Sequence, residues 1–258
     1  MGSENAQPTP RRLYVHDDLT EEVAAEYGVD SEAHRIALQL LAAVSRDTDR
    51  VTVLTLRTQI EALVDGKRHE PFSVALGIGE AGERVARQVH ERTGWFPVVY
   101  RIDITRVEDG RGGYLLDGMS ARSWEDQLRG LAVEKSLAVV DDTVFSGLTM
   151  RSVLKALPAS VLPVARVFCL RGVAEPIDMI GDIAPISAGF AAPGRMLDEV
   201  SFINASGLVR SIAIRRRGQP SQAFFERPQW IKAWFPDRTN EVIDTCRSLK
   251  RLLEPRPM

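Results

Sequence analysis

The chain has 258 residues, 44% of them hydrophobic, and a formal net charge of −2. That is enough apolar chain for one α/β domain with an elaboration or a small cap, and the near-neutral balance carries no dominant nucleic-acid footprint. Cys169 and Cys246 lie far apart and form no metal-spacing motif, which fits a reduced, cytoplasmic protein. No apolar run has the length of a membrane span, and the polar start lacks a signal-peptide core.

In chain order, residues 1–12 read as a disordered tail and 13–70 as a helical flank. Ala33, Ile36, Ala37, Leu40, Leu41 and Val44 recur at helical spacing, with Asp30 and Ser31 available as caps. Residues 51–56 suit a strand or a helix equally, and "GKRHEP" makes a polar break. From Phe72 the grammar changes, and residues 71–175 read as the core. "FSVALGI" is a short apolar run, followed by "GEAG" and a helical pattern through Gly82, Val85, Ala86 and Val89. "PVVYRI" is a second strand. "DITRVEDGRGGYLLDG" is a polar, glycine-rich loop, long for an ordinary connection. "LAVV" and "LPVARVFCL" are the third and fourth strands, separated by a helix carrying Met150, Val153, Leu154 and Leu157 on one face. Strands alternating with helices predict a parallel sheet covered on both faces.

Residues 176–258 carry weaker signals and read as a continuation of core and flank. "SIAIRRRG" suggests a strand running into a turn. Val242, Ile243, Cys246, Leu249 and Leu253 predict a final amphipathic helix. Phe224, Phe225, Trp230, Trp234 and Phe235 suit either a buried core or a surface that stacks on a planar ligand. His16, His34, His69 and His90 have no metal-ligand spacing.

The stretch "LAVVDDTVFSGLT", from Leu137 to Thr149, carries the chemistry. Ligands gather at the carboxyl ends of parallel strands, and Asp141 and Asp142 sit at such an end. Adjacent carboxylates repel unless hydroxyl donors or a cation are held beside them, and vicinal ribose hydroxyls or a magnesium ion would serve. The N–H groups of the following helix suit a phosphate; Ser146 and Thr149 add hydroxyls, and Gly147 lets the backbone come close. Spacing alone also admits a plain strand end and a capped helix.

The stretch resembles the phosphoribosyl pyrophosphate (PRPP) motif of type I phosphoribosyltransferases: an apolar strand, two acids, a small hydroxylated loop and a closing threonine. "VALGIGEAGERVA" lies upstream where that family has its pyrophosphate loop. The resemblance spans roughly residues 72 to 170. It implies a parallel-sheet type I phosphoribosyltransferase-like α/β core with a variable hood from both flanks. It further implies transfer of ribose 5-phosphate from PRPP to a nucleobase or base-like small molecule, with release of pyrophosphate. Asp141, Asp142 and Arg101 would be the catalytic residues. Thr143, Val144, Phe145, Ser146, Gly147, Leu148 and Thr149 would bind the 5′-phosphate. Gly77, Ile78, Gly79, Glu80, Ala81 and Gly82, with Arg101, Arg106 and Arg111, would meet pyrophosphate. Mg2+ would be the cofactor, near Asp141 and Asp142 directly or through water. The partners would be PRPP, a small-molecule acceptor and a second copy of the chain, with no nucleic acid and no membrane.

One residue departs from the pattern. Enzymes of the family that act on 6-oxopurines usually have an acid where Phe145 stands, which points away from ordinary hypoxanthine or guanine salvage. A PRPP-binding regulator without chemistry is the alternative reading. PRPP synthesis finds no support, because the chain shows no ATP-site signature and is short for tandem domains.

Overall fold

The computed structural model describes residues 9–109, 113–118, 122–129, 131, 135–215 and 218–254. The elements are, in order, β1 (Arg12–Asp17), α1 (Thr20–Tyr27), α2 (Glu32–Val44), β2 (Val51–Thr55), α3 (Leu56–Val64), β3 (Val74–Ile78), α4 (Gly79–Thr93), β4 (Val99–Ile102), β5 (Ile104–Glu108) and β6 (Tyr114–Gly118). They continue with α5 (Trp124–Arg129), β7 (Leu137–Val144), α6 (Leu148–Ala156), β8 (Ala165–Val173), α7 (Ala174–Gly181), β9 (Ile186–Ala192), β10 (Val200–Asn204), α8 (Ala205–Val209), α9 (Pro228–Trp234) and α10 (Thr239–Leu253). No helix among the described residues is long and apolar enough to cross a membrane.

The chain folds into two compact units. One holds the described residues up to Leu56, Val107–Gly113 and those from Arg195 onward; the other holds Arg57–Arg106 and Tyr114–Gly194. The second unit contains a five-stranded parallel sheet in the order β4-β3-β7-β8-β9. This is the parallel α/β core expected from the sequence. β3 and β7 are its central pair, with Leu76 opposite Val139 and Gly77 opposite Val140. β3 and the first four residues of β7 are apolar and buried, as in a parallel sheet covered on both faces. Crossover connections take the chain from β3 to β4 on one side and from β7 through β8 to β9 on the other. The direction of winding therefore reverses between β3 and β7. Phe72, Trp95, Phe96 and Phe168 pack ring against ring with His69. Burial of His69, with Arg166 and Lys67 nearby, lowers its pKa.

The first unit is built on a smaller parallel sheet, β10-β1-β2, with β1 central. Leu13 and Val15 of β1 are fully buried in a core to which α2, α9 and α10 also contribute. Ser31 caps α2 by accepting from the His34 N–H at 3.1 Å. Phe225, Trp230, Trp234 and Phe235 are buried and Phe224 packs against them, so these rings belong to this core.

Three expectations change. The helical flank includes a strand, β1, and residues 51–55 form β2, so 13–70 supplies sheet as well as helix. The polar loop after β4 contains β5 and β6, which pair as a two-stranded sheet anchored by buried Ile104 and Val107. "SIAIRRRG" makes no strand: Ile214 forms a single bridge with Gln222, and residues 216–217 lie outside the described ones.

Candidate functional site

The winding reverses between β3 and β7, and the carboxyl ends of the strands at such a reversal are where ligands bind in sheets of this kind. Both sequence motifs end there. β7 does not stop at its acids. It runs on to Val144, with Asp141 opposite Cys169 and Thr143 opposite Arg171. Only Phe145, Ser146 and Gly147 separate it from α6. Gly147 takes a left-handed backbone, φ 70°, at the N-cap position, and the Leu148 N–H donates to Ser146 Oγ at 3.4 Å. The first-turn N–H groups of α6 find no acceptor inside the helix and leave positive potential at its start.

A concavity lies at this helix start. Asp141, the run Thr143–Met150 and Arg106 line it. The seven residues expected to hold a phosphate thus surround one hollow, with a carboxylate and a guanidinium on its rim. Buried Met150 belongs to the same lining. Arg106 comes from β5.

The two acids part company. Successive side chains of a strand project to opposite sides, and only Asp141 lines the concavity. Its Oδ1 accepts from the Asp142 N–H at 2.8 Å. Burial, and then the neighbouring Asp142 charge, holds its carboxyl well above the ordinary aspartate range, while Arg106 pulls in the other direction. Asp142 instead accepts on Oδ2 from Arg171 at 2.9 Å and from the Thr143 hydroxyl at 3.1 Å. The picture of two carboxylates cradling one sugar therefore changes to one acid facing the hollow and one held by the next strand.

A raised carboxyl means that the folded state holds this proton more tightly than the unfolded chain. Stability then falls as pH rises above about 4, the ordinary aspartate pKa, through the folded value. Asp141→Asn keeps the oxygen that accepts from Asp142 and removes the titration. The variant is expected to match the parent in urea denaturation near pH 4 and to exceed it at pH 8. Parallel pH profiles would show that Asp141 is not a strained acid.

The glycine motif upstream is a tight strand-to-helix joint with no separate loop. Gly77 and Ile78 belong to β3; Gly79, Glu80, Ala81 and Gly82 form the first turn of α4. Gly79 adopts φ 60°. A Cβ on Gly77 would lie 2.4 Å from the Glu83 nitrogen, and one on Gly82 2.4 Å from the Val140 carbonyl oxygen. The helix is therefore pressed against β3 and β7, with its N-terminus at the carboxyl end of β3. Glu80 adds a carboxylate to that turn.

Arg101, on β4, bonds Asp103 at 2.8 Å and lies 3.7 Å from Glu83. It is opposite Gly77 in the sheet but does not line the concavity. Arg111 lies outside the described residues.

Sequence reasoning overlooked Arg171 and Gln59. Arg171 has no exposed surface and reaches Gln59 Oε1 at 3.2 Å as well as Asp142. An arginine soon after the apolar run "VFCL" was the available signal, since β8 continues through it to Val173.

No protein-family model matches the chain, and no curated protein matches it in sequence. Solved structures do. A purine phosphoribosyltransferase from Pyrococcus horikoshii is 17% identical, with 58% of this chain and 89% of that one covered and a TM-score of 0.39. An orotate phosphoribosyltransferase from Aeropyrum pernix is 14% identical, with 58% and 75% covered and a TM-score of 0.35. A xanthine-guanine-hypoxanthine phosphoribosyltransferase from Helicobacter pylori is 13% identical, with 73% and 92% covered and a TM-score of 0.33. All three are phosphoribosyltransferases. At this degree of overlap the functional reading rests on the site itself.

Proposed function

We propose that this protein transfers ribose 5-phosphate from PRPP to a nucleobase or base-like small molecule and releases pyrophosphate. The observation that carries the reading is the convergence of Thr143–Thr149, Asp141 and Arg106 on one hollow at the start of α6, beside the β3/β7 reversal. The helix start and its hydroxyls suit the 5′-phosphate. Asp141 and Asp142 lie on the strand leading into that hollow, where a sugar attached to the phosphate would pass. The N-terminus of α4, held close by Gly77 and Gly82, suits the departing pyrophosphate, and Arg106 on the lining of the hollow would add positive charge.

Displacement at the anomeric carbon passes through an oxocarbenium-like state, so fixing the ribose and stabilising the leaving group are the protein's main tasks. Among the described residues, no three His, Cys, Asp or Glu side chains cluster as a metal cage. Asp141 offers one hard carboxylate, which fits an ion that keeps waters and substrate phosphates as its other ligands. Mg2+ bound there would neutralise charge on the pyrophosphate oxygens. Phe145 lines the hollow where an acid would be needed for a 6-oxopurine proton, and it favours an acceptor without that demand.

The test is incubation with PRPP, Mg2+ and a panel of nucleobases and small heterocycles, following pyrophosphate. Release that depends on one class of acceptor is the expected result. Calorimetric binding of PRPP with no release across the panel would favour the regulator, and no binding of PRPP would overturn both readings.

A further inference from the structure

Two charged side chains line the hollow at the start of α6: Asp141 from β7 and Arg106 from β5. Arg106 is the one cation among the described lining residues. The other donors there are neutral, namely the hydroxyls of Thr143, Ser146 and Thr149 and the N–H groups of the first helical turn. A helix start offers only about half an elementary charge. A phosphate held by those donors alone would sit beside the Asp141 carboxylate, a charge of its own sign. A full positive charge on the same lining removes that objection. The charge of Arg106 is felt at Asp141, whose ionised form it favours.

Core packing puts Arg106 in this place. Ile104, two residues earlier on β5, is buried in the cluster that holds Val144 and Met150, and both of those line the hollow. Residues two apart on a strand project to the same side, and Arg106 itself stays exposed. The other described arginine expected at pyrophosphate is placed differently: Arg101 bonds Asp103 at 2.8 Å and is not on this lining.

We infer that Arg106 is a ligand of the 5′-phosphate, so that its direct contact is with this end of the substrate and not with pyrophosphate. The inference rests on the phosphoribosyl reading of the hollow. A guanidinium meets phosphate oxygens with paired N–H donors, so this one residue would add both charge and direction to the hydroxyls and the helix start. Its field would still favour pyrophosphate, but over a longer range and more strongly screened. The substrate is then gripped at its non-reacting end, by a contact that is the same before and after pyrophosphate leaves.

Ribose 5-phosphate carries only the one end, and inorganic pyrophosphate stands for the other. Calorimetry with each ligand and Mg2+, on the parent, Arg106→Gln and Arg106→Lys proteins, separates the two. In Arg106→Gln, ribose 5-phosphate should bind roughly tenfold more weakly, the low end of the worth of a charged hydrogen bond, and pyrophosphate should stay within about twofold of the parent. Arg106→Lys keeps the charge and should lose less, and it keeps the test open if Arg106→Gln folds poorly. Pyrophosphate weakened as much as ribose 5-phosphate, or ribose 5-phosphate unchanged in every folded variant, would overturn the contact while leaving the phosphoribosyl reading in place. A parent protein that does not bind ribose 5-phosphate would overturn that reading of the hollow, and this inference with it.

Discussion

Asp142→Ala is expected to destabilise the protein by about 3 kcal/mol, the lower end of what removing one partner of a buried ion pair costs. The reason is Arg171, which would keep its charge and its burial and lose its carboxylate. The 19% exposure of the Asp142 side chain places the effect at that lower end. Asp142→Asn should cost less, because its amide oxygen can still accept from the guanidinium. The sequence reading has Asp142 beside a bound sugar or magnesium; the structure makes it the partner of a fully buried arginine. Urea denaturation of Asp142→Ala, and of Asp142→Leu combined with Arg171→Met, checks this. Replacing both members should restore most of the stability, because no charge is then left buried alone. Sugar-phosphate binding should not return with it. A double variant as unstable as the single one would show that the ion pair is not the source of the cost.

The second large effect is expected at Gly82. Its added methyl in Gly82→Ala would meet the Val140 carbonyl oxygen at 2.4 Å, a backbone atom that no rotamer change can move. Either α4 retreats from the sheet or β7 bends. Overpacking of this kind costs roughly 1–3 kcal/mol, and a collision with backbone belongs at the upper end. The displaced helix start lies at the carboxyl end of β3, so PRPP binding should fall further than stability does. Gly181→Ala is the control. Its Cβ would sit 3.8 Å from Ile186 in ordinary contact, and both stability and binding should hold. Normal PRPP affinity in Gly82→Ala would remove α4 from the site.

How much of this was legible beforehand depended on periodicity. β3 and the first half of β7 are dense apolar runs because they are buried on both faces, and α2 and α10 carry plain helical stripes. The lining of the candidate hollow was legible as a block of acids, hydroxyls and glycine between an apolar strand and an amphipathic helix. β1 and β9 were harder to read. RLYVHD mixes charge into a six-residue strand, and ISAGFAA is made of small residues. The glycine in β9 has a physical cause that only the fold reveals: a Cβ on Gly189 would lie 2.5 Å from the Gln59 carbonyl oxygen of α3. The pairing of Arg171 with Asp142 and Gln59 was invisible because it joins residues 29 and 112 positions apart.

The central place of β1 in its sheet has a consequence for synthesis. Its neighbour β2 follows within the next 40 residues, whereas β10 begins only at Val200. While the chain grows, one edge of β1 keeps its backbone donors and acceptors unmatched until nearly 200 residues have been made. All five strands of the larger sheet emerge inside that interval. The unit carrying the hollow can thus complete its sheet first, and the chain's earliest strand is among the last to find its full complement of partners.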